Sequence, residues 1–327
     1  MRILVTGSAG HLGEALMRTL RARGREAIGI DVLASAYTDR VGSVADAGFV
    51  RECMRGVDAV LHAATLHKPH VATHSRQAFV DTNITGTLNL LEAAAAGGAG
   101  AFVFTSTTSA FGDALVPPAG MPAAWIDETV APLTKNIYGA TKTAAEELCR
   151  LFQRNHALPC LVLRTSRFFP EADDSPALRE AYADGNIKAN EYLSRRVDVQ
   201  DVVDAHLLAI ERAPGLGFGR YIVSATTPFE REDLAALRED APAVLARRVP
   251  GYEIEYARRG WRMFPGIDRV YVNALARQAL GWQPRYDFAY VLERLRAGED
   301  PRSPLAQEIG SKGYHPDAFE DGIYPVE

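Results

Sequence analysis

Thr6-Gly7-Ser8-Ala9-Gly10-His11-Leu12-Gly13 follows the short apolar run 3–5 and precedes a helix-period pattern over 12–21, so a glycine-rich turn joins a buried strand to a helix. Each glycine has a use in that setting. Gly7 permits the tight turn, Gly10 lets backbone approach a pyrophosphate, and Gly13 lets helix and strand pack closely, with the anion at the helix N-terminus. Ala9, His11 and Leu12 complete the loop. A second apolar run, 27–30, ends at Asp31, about 20 residues further on, where a carboxylate accepts hydrogen bonds from adenosine ribose hydroxyls and repels a 2′-phosphate. These positions predict a dinucleotide site that takes NAD in preference to NADP.

Working outward, runs 59–62, 101–104 and 160–163 read as further buried strands, and helices are predicted over 47–54, 83–96 and 138–153. Strand–helix alternation of this kind predicts an α/β fold, a Rossmann-type doubly wound parallel sheet with helices on both faces. It spans 1–164, with a segment near 197–212 returning to it. Beyond Arg164 the elements become shorter: helices near 175–183, 202–211, 231–237 and 273–280, and a strand at 221–223. Residues 165–300 are therefore expected to form a smaller C-terminal substrate-binding lobe. The tail, 301–327, is rich in Pro, Gly and charge but keeps Tyr314, Phe319 and Tyr324, anchors that predict docking on its own lobe or on a partner subunit.

Composition narrows the class. With 327 residues, 47% apolar and 24% charged, the chain can bury a large core and is neither disordered nor low in complexity. A net charge of −5 gives nucleic acid no electrostatic handle. No apolar run approaches the ~18 residues of a membrane span. Cys53, Cys149 and Cys160 lack CxxC spacing and read as buried thiols in a reducing compartment. The first strand starts directly after Met1, without a basic, apolar leader. A soluble, cytoplasmic protein is expected. Of 36 basic residues only five are lysines, at 68, 135, 142, 188 and 312, so each lysine is notable.

One of the five lies in Tyr138-Gly139-Ala140-Thr141-Lys142, where a spacing of four puts phenol and ammonium on one helix face. A phenol titrates near ~10, so neighbouring ammonium and oxidised nicotinamide charges must lower it before it can take a hydroxyl proton at pH 7. A compact ammonium can reach a ribose hydroxyl and the phenol together, which a planar guanidinium would not simply replace.

With these two motifs in hand, the sequence resembles the extended short-chain dehydrogenase/reductase superfamily, in its NAD-dependent epimerase/dehydratase branch of sugar-nucleotide 4-epimerase type, over roughly residues 1–296. Further support comes from Val57-Asp58-Ala59-Val60-Leu61-His62-Ala63-Ala64, Asn83-Ile84-Thr85-Gly86-Thr87, Phe104-Thr105-Ser106-Thr107-Thr108-Ser109-Ala110-Phe111-Gly112, Asp201-Val202-Val203-Asp204-Ala205-His206 and Leu280-Gly281-Trp282. The resemblance implies a catalytic set of Thr107, Tyr138 and Lys142, with Thr107 steadying the substrate oxygen. Ser43 and Val44 would line adenine. Ala63, Ala64, Asn83 and Thr105 would lie along the nicotinamide side of the cofactor. It also implies a homodimer through a four-helix bundle of helices 83–96 and 138–153. Dehydratases of this branch commonly place an Asp-Glu pair after the Ser/Thr. Here Thr108 and Ser109 stand there, which disfavours 4,6-dehydration.

The substrate side departs from the family. Arg167 replaces the usual Asn, the connection between Phe169 and Ser194 is short, and the Arg expected at Ser194 is displaced to Arg195 and Arg196. Arginine suits bidentate recognition of phosphate or carboxylate, so Arg167 with Arg196 or Arg262 is expected to fix an anionic group of a small-molecule, carbohydrate substrate. His67 and Lys68 are candidate substrate contacts, together with Thr108. His62, His67, His70 and His74 crowd together, but no acid or Cys completes a closed site, and no metal is expected. The leading expectation is a sugar or sugar-nucleotide epimerase acting through a transient ketone. The alternative is an NAD-dependent dehydrogenase of an anionic sugar or hydroxy substrate. A non-catalytic NAD-binding regulator is the third reading, opposed by the intact catalytic positions.

Overall fold

The computed structural model describes residues 1–313 and 319. Its strands are β1 (Arg2–Thr6), β2 (Glu26–Asp31), β3 (Arg40–Val41), β4 (Ala59–His62), β5 (Ala101–Thr107), β6 (Ala124–Ile126), β7 (Cys160–Thr165), β8 (Phe218–Val223) and β9 (Arg269–Tyr271). Seven of them form one parallel sheet in the order β3-β2-β1-β4-β5-β7-β8. The order reverses direction at β1/β4, so a crevice opens above the carboxyl ends of those strands, where an α/β sheet binds its ligand.

The helices are α1 (His11–Ala22), α2 (Ala47–Cys53), α3 (Arg76–Phe79), α4 (Gly86–Gly97), α5 (Ile137–His156), α6 (Pro176–Ala181), α7 (Asp184–Glu191), α8 (Val199–Leu216), α9 (Leu234–Glu239), α10 (Ala241–Arg248), α11 (Tyr252–Arg259), α12 (Ala274–Leu280), α13 (Phe288–Ala297) and α14 (Pro304–Ile309). Every residue of β4 and β7 is buried, as continuous apolar runs in a two-sided sheet require. On one face α1, α8, α12 and α14 cover Ile3, Val5, Leu61, Val103 and Leu161. On the other, α2, α4 and α5 cover Leu4, Val60, Phe102, Phe104 and Val162. Burial of each such side chain contributes roughly 1.5–3 kcal/mol before chain entropy is set against it. The expected doubly wound sheet is therefore present.

Three features differ from the sequence-based expectation. The run 221–223, assigned to the lobe, is the inner half of β8, paired to β7 with Leu163 opposite Tyr221. Its first half is only partly buried, as suits an edge strand, so its apolar signal is short. The helix expected from 83 is continuous with α3 through a π-helical stretch, Val80–Thr85, that precedes α4. The docked segment after Ser303 lies on the sheet domain and not on the lobe. Leu305 and Ile309 of α14 join the core against α1 and α8, with Ser303 N donating to Asp198 Oδ2 at 3.1 Å. Tyr314 and Tyr324 lie outside the described residues. The lobe has its own core, built from α7, α9, α10, α11 and α13, beside the two-stranded parallel pair β6–β9.

Candidate active site

The glycine turn is held from below. Gly7 adopts φ +73°, its N–H donates to Ile30 O at 2.9 Å, and a Cβ there would come within 2.8 Å of Ala64 N. A Cβ on Gly13 would overlap the Gly7 carbonyl oxygen, whereas on Gly10 it would meet only that oxygen, at 3.3 Å. Gly10 therefore presents open backbone to the cavity it lines with Gly7, His11, Leu12 and Gly13. Asp31 stands at the end of β2, its carboxylate accepting from Ala9 N at 3.0 Å and Leu33 N at 2.9 Å. This cradle fits a dinucleotide: backbone accessible at a helix N-terminus, and a carboxylate with lone pairs left for ribose hydroxyls.

A buried chain of hydrogen bonds stiffens the turn. Ala63 N and Ala64 N donate to Thr6 Oγ1, which lies 2.7 Å from His62 Nδ1, and His62 Nε2 lies 2.9 Å from Thr87 Oγ1. Thr87 donates to the Asn83 carbonyl at 2.7 Å. That assigns the proton directions: Nε2 of His62 donates to Thr87, and Nδ1 accepts from Thr6. Burial, aided by the Lys142 charge, holds His62 neutral with a pKa of about 3. Asn83 does not face the cavity. Its amide closes on Leu66 N, Leu66 O, Thr65 and Thr141, bracing the β4 loop against α5. Half-buried Ser43 accepts from Ala45 N through its hydroxyl, and buried Val44 packs on Gly86.

Thr107 ends β5, and Tyr138 and Lys142 occupy one face of α5, whose N-cap Asn136 accepts from Gly139 N. All three line the cavity of about 240 Å³ that contains the glycine turn, and Thr105 and Thr108 line it too. Thr107 Oγ1 accepts from Ser109 N at 3.0 Å, and the hydroxyl also hydrogen-bonds the Tyr138 phenol. Burial pushes the Tyr138 phenol up to about 12, against the pull of the Thr107 hydroxyl. Burial also lowers Lys142 to about 7, opposed by Glu146. The expected lowering of Tyr138 by Lys142 is not delivered by the protein alone. The ammonium donates to Thr105 O at 2.5 Å and lies 4.1 Å from the Phe104 ring centre, and desolvation governs both groups. The other four lysines are ion-paired with Asp or Glu.

Sequence reading missed the support beneath this set. Glu146, one turn beyond Lys142 and fully buried, takes the Arg164 guanidinium at 2.7 and 3.0 Å and the Ser106 hydroxyl at 2.6 Å. The i, i+4 spacing from Lys142 was the available signal. The DVVDAH stretch is also structural. His206 Nδ1 donates to Val202 O, so Nε2 accepts from the Thr105 hydroxyl at 2.8 Å, while Asp201 accepts from Arg285 N and Tyr286 N.

Opposite this set, His67, Lys68, Arg167, Arg195, Arg269 and Tyr271 line the cavity. His67 lies 6.0 Å, centre to centre, from Tyr138 and is held neutral at about 3 by burial, with neighbouring His70, Lys142 and His11 adding to the shift. Lys68 pairs with Asp174 at 2.7 Å. Arg167 reaches the cavity but is ion-paired with Asp173 at 2.5 Å and Glu191 at 3.1 Å. Arg196 and Arg262, expected with it, are not brought to the cavity wall. Buried Arg196 is consumed by Glu191 Oε2 and Phe169 O, and Arg262 donates to Ala181 O over the Tyr182 ring. Burial would raise the Glu191 carboxyl, but Arg196, Arg195 and Arg167 bring it down to about 2. His70 packs against His67 and His74 with ring centres 6.1 and 5.1 Å apart, and among the described residues no group of three His, Cys, Asp or Glu could hold a metal.

A doubly wound sheet, a glycine turn with its acid, and a Thr–Tyr–Lys set on one cavity define a nucleotide-dependent oxidoreductase-type class. The model of the NAD dependent epimerase/dehydratase family matches residues 3–223, and the chain belongs to that family, with NAD as its cofactor. The chain is 28% identical to a UDP-glucose 4-epimerase of Rhizobium meliloti (strain 1021) over 89% of its own length and 94% of the relative's. It is 30% identical to a dTDP-glucose 4,6-dehydratase of Streptomyces antibioticus over 90% and 91% of the two chains. A crystal structure of a short-chain dehydrogenase/reductase superfamily protein from Agrobacterium tumefaciens with bound NAD matches with a TM-score of 0.65 and 26% identity, over 94% of this chain and 99% of that one. No helix among the described residues is long and apolar enough to cross a membrane.

Proposed function

We propose that the protein is an NAD-dependent sugar-nucleotide epimerase. The observation that carries this reading is the placement of Thr107, Tyr138 and Lys142 on the cavity that also contains the glycine turn; near full-length similarity to a UDP-glucose 4-epimerase supports it. Gly7, Gly10, Gly13 and Asp31 would hold NAD, which when bound would supply a hydride acceptor and donor. The positive charge that bound NAD would bring beside the phenol would favour its ionised form; as the phenolate, Tyr138 Oη takes the proton of the sugar hydroxyl and later returns it, and the Thr107 hydroxyl steadies the same oxygen as its carbon changes hybridisation. Lys142, near neutrality in pKa and fixed on Thr105 O, holds positive charge one helical turn from the phenol. Neutral His67 lies 6.0 Å from the Tyr138 ring and 5.6 Å from Phe169, so the two give the cavity beside the phenol an uncharged wall.

Thr108 and Ser109 offer no carboxyl beside Thr107, which supports an account without elimination despite similarity to a dehydratase. The second reading, a dehydrogenase of an anionic hydroxy substrate, draws on the cations around the cavity. We also place the protein in the cytoplasm, supported by three buried free thiols, and propose a homodimer through the outer faces of α4 and α5, where Leu151 is 46% exposed. The test is turnover of UDP-glucose and UDP-galactose by wild type and Tyr138→Phe. Interconversion that falls about 10²–10⁴-fold in the variant, with NAD still bound, is expected; undiminished interconversion contradicts the assignment.

A further inference from the structure

Strand β9 carries Arg269-Val270-Tyr271, and the two-residue repeat sends Arg269 and Tyr271 to one face while Val270 enters the lobe core. That face is a wall of the cavity containing Tyr138. Tyr271 N donates to Ser194 O at 3.1 Å and Arg167 N to Arg195 O at 3.2 Å, so β9, the 194–196 stretch and the end of β7 lie side by side. The other cations on the wall have partners: Lys68 with Asp174, Arg167 with Asp173, Arg195 with Glu191, and Lys142 with Thr105 O. Arg269 differs. Its backbone belongs to the β6–β9 ladder, but among the described residues its side chain makes no hydrogen bond or ion pair, its Nε is buried without a partner, and it lies 6.0 Å from the Tyr271 ring. Ser166, 3% exposed, lines the same cavity with its hydroxyl also unpartnered.

The Nε atoms of Arg2, Arg220 and Arg294 are also buried without a hydrogen bond, but those guanidinium groups are ion-paired with Glu26, Glu147 and Glu299, whereas that of Arg269 has no acceptor among the described residues; a planar fork facing a ligand cavity matches the two oxygens of a carboxylate or phosphate. We propose that Arg269, with the Ser166 hydroxyl on the same cavity, holds an oxyanion of the substrate, a carboxylate on the sugar or a phosphate of its nucleotide, and is the specificity-determining cation in place of Arg196 and Arg262. The assignment rests on the reading of this cavity as the epimerase substrate site. It accounts for the surrounding ion pairs: they neutralise Lys68, Arg167 and Arg195 and leave one directed positive charge.

The test is calorimetric titration of the NAD-loaded protein with UDP, which has phosphates and no sugar carboxylate, with D-glucuronate, which has the carboxylate and no phosphate, and with neutral D-glucose. Wild type is expected to bind one of the two anions. Arg269→Gln should weaken that anion at least tenfold, Arg269→Lys should recover part of the loss, and NAD content and thermal midpoint should stay unchanged. The anion that responds identifies the source of the oxyanion. Equal binding by wild type and Arg269→Gln, no binding of either anion by wild type, or glucose binding as sensitive to the substitution as the anions overturns the proposal. Because binding is read without turnover, a protein that binds the anion through Arg269 but fails to epimerise UDP-sugars overturns only the functional reading.

Discussion

At the scale of single residues, the site is ruled by desolvation. The same burial that raises Tyr138 to about 12 lowers Lys142 to about 7 and keeps His67 and His62 neutral, so the protein presents a set of uncharged or weakly charged groups. Glu191 and Asp174 are exceptions, carboxylates kept ionised against burial, Glu191 by Arg196, Arg195 and Arg167 and Asp174 by Lys68 with Arg167 and Arg195. The folded pKa of Glu191 lies below its unfolded value of 4.5, so its contribution is fully present above pH 4.5 and is lost as pH falls toward 2. That shift corresponds to roughly 3 kcal/mol. Glu191→Gln should lower the unfolding free energy by about 3–5 kcal/mol at pH 7, since buried Arg196 loses its carboxylate and Arg167 and Arg195 are left to share Asp173, and should flatten the loss of stability between pH 4.5 and 2. Denaturant melts across that range check it; a variant as stable as wild type at pH 7 would refute the ion-cluster account. Asp31→Ala should weaken NAD about tenfold and narrow its preference over NADP, measured by titration of cofactor-stripped protein.

At the scale of elements, α14 and the residues after it form a strap over the start of α1. His11 Nε2 lies 2.7 Å from Gly310 O, Lys312 reaches Glu14 at 2.5 Å, and Glu171 accepts from Ser311 Oγ and the backbone of Lys312 and Gly313. The strap is anchored by apolar burial, so Ile309→Ala should cost about 2–4 kcal/mol, read from denaturant unfolding. A cost within error of zero would mean that the strap is not part of the sheet-domain core. Local signals made the first half of the molecule readable. The glycine turn, Asp31 and the Tyr–Lys spacing each lie within one strand–turn–helix unit, where sequence distance and spatial distance agree. Arg269 was not readable: β9 acquires its role only by pairing with β6, Ala124 opposite Arg269, far away in the chain. Arg196 and Arg262 do not line the cavity that contains Tyr138, for the converse reason. Their neighbours in sequence suggested a cavity, but Glu191 and the Ala181 carbonyl take up their donors.

At the scale of the whole molecule, one sheet holds the cofactor cradle and the Thr–Tyr–Lys set, and a small lobe folds its β9 edge over the same cavity. An epimerase must keep its oxidised intermediate and its nucleotide together between the two hydride transfers, whereas a dehydrogenase must release both. Retention is therefore the property on which the central claim stands. The most direct measurement is to purify the protein without added nucleotide, denature it and quantify what is released. About one NAD per chain is predicted; an empty site that fills and empties reversibly with added NAD would contradict the epimerase account and leave the dehydrogenase.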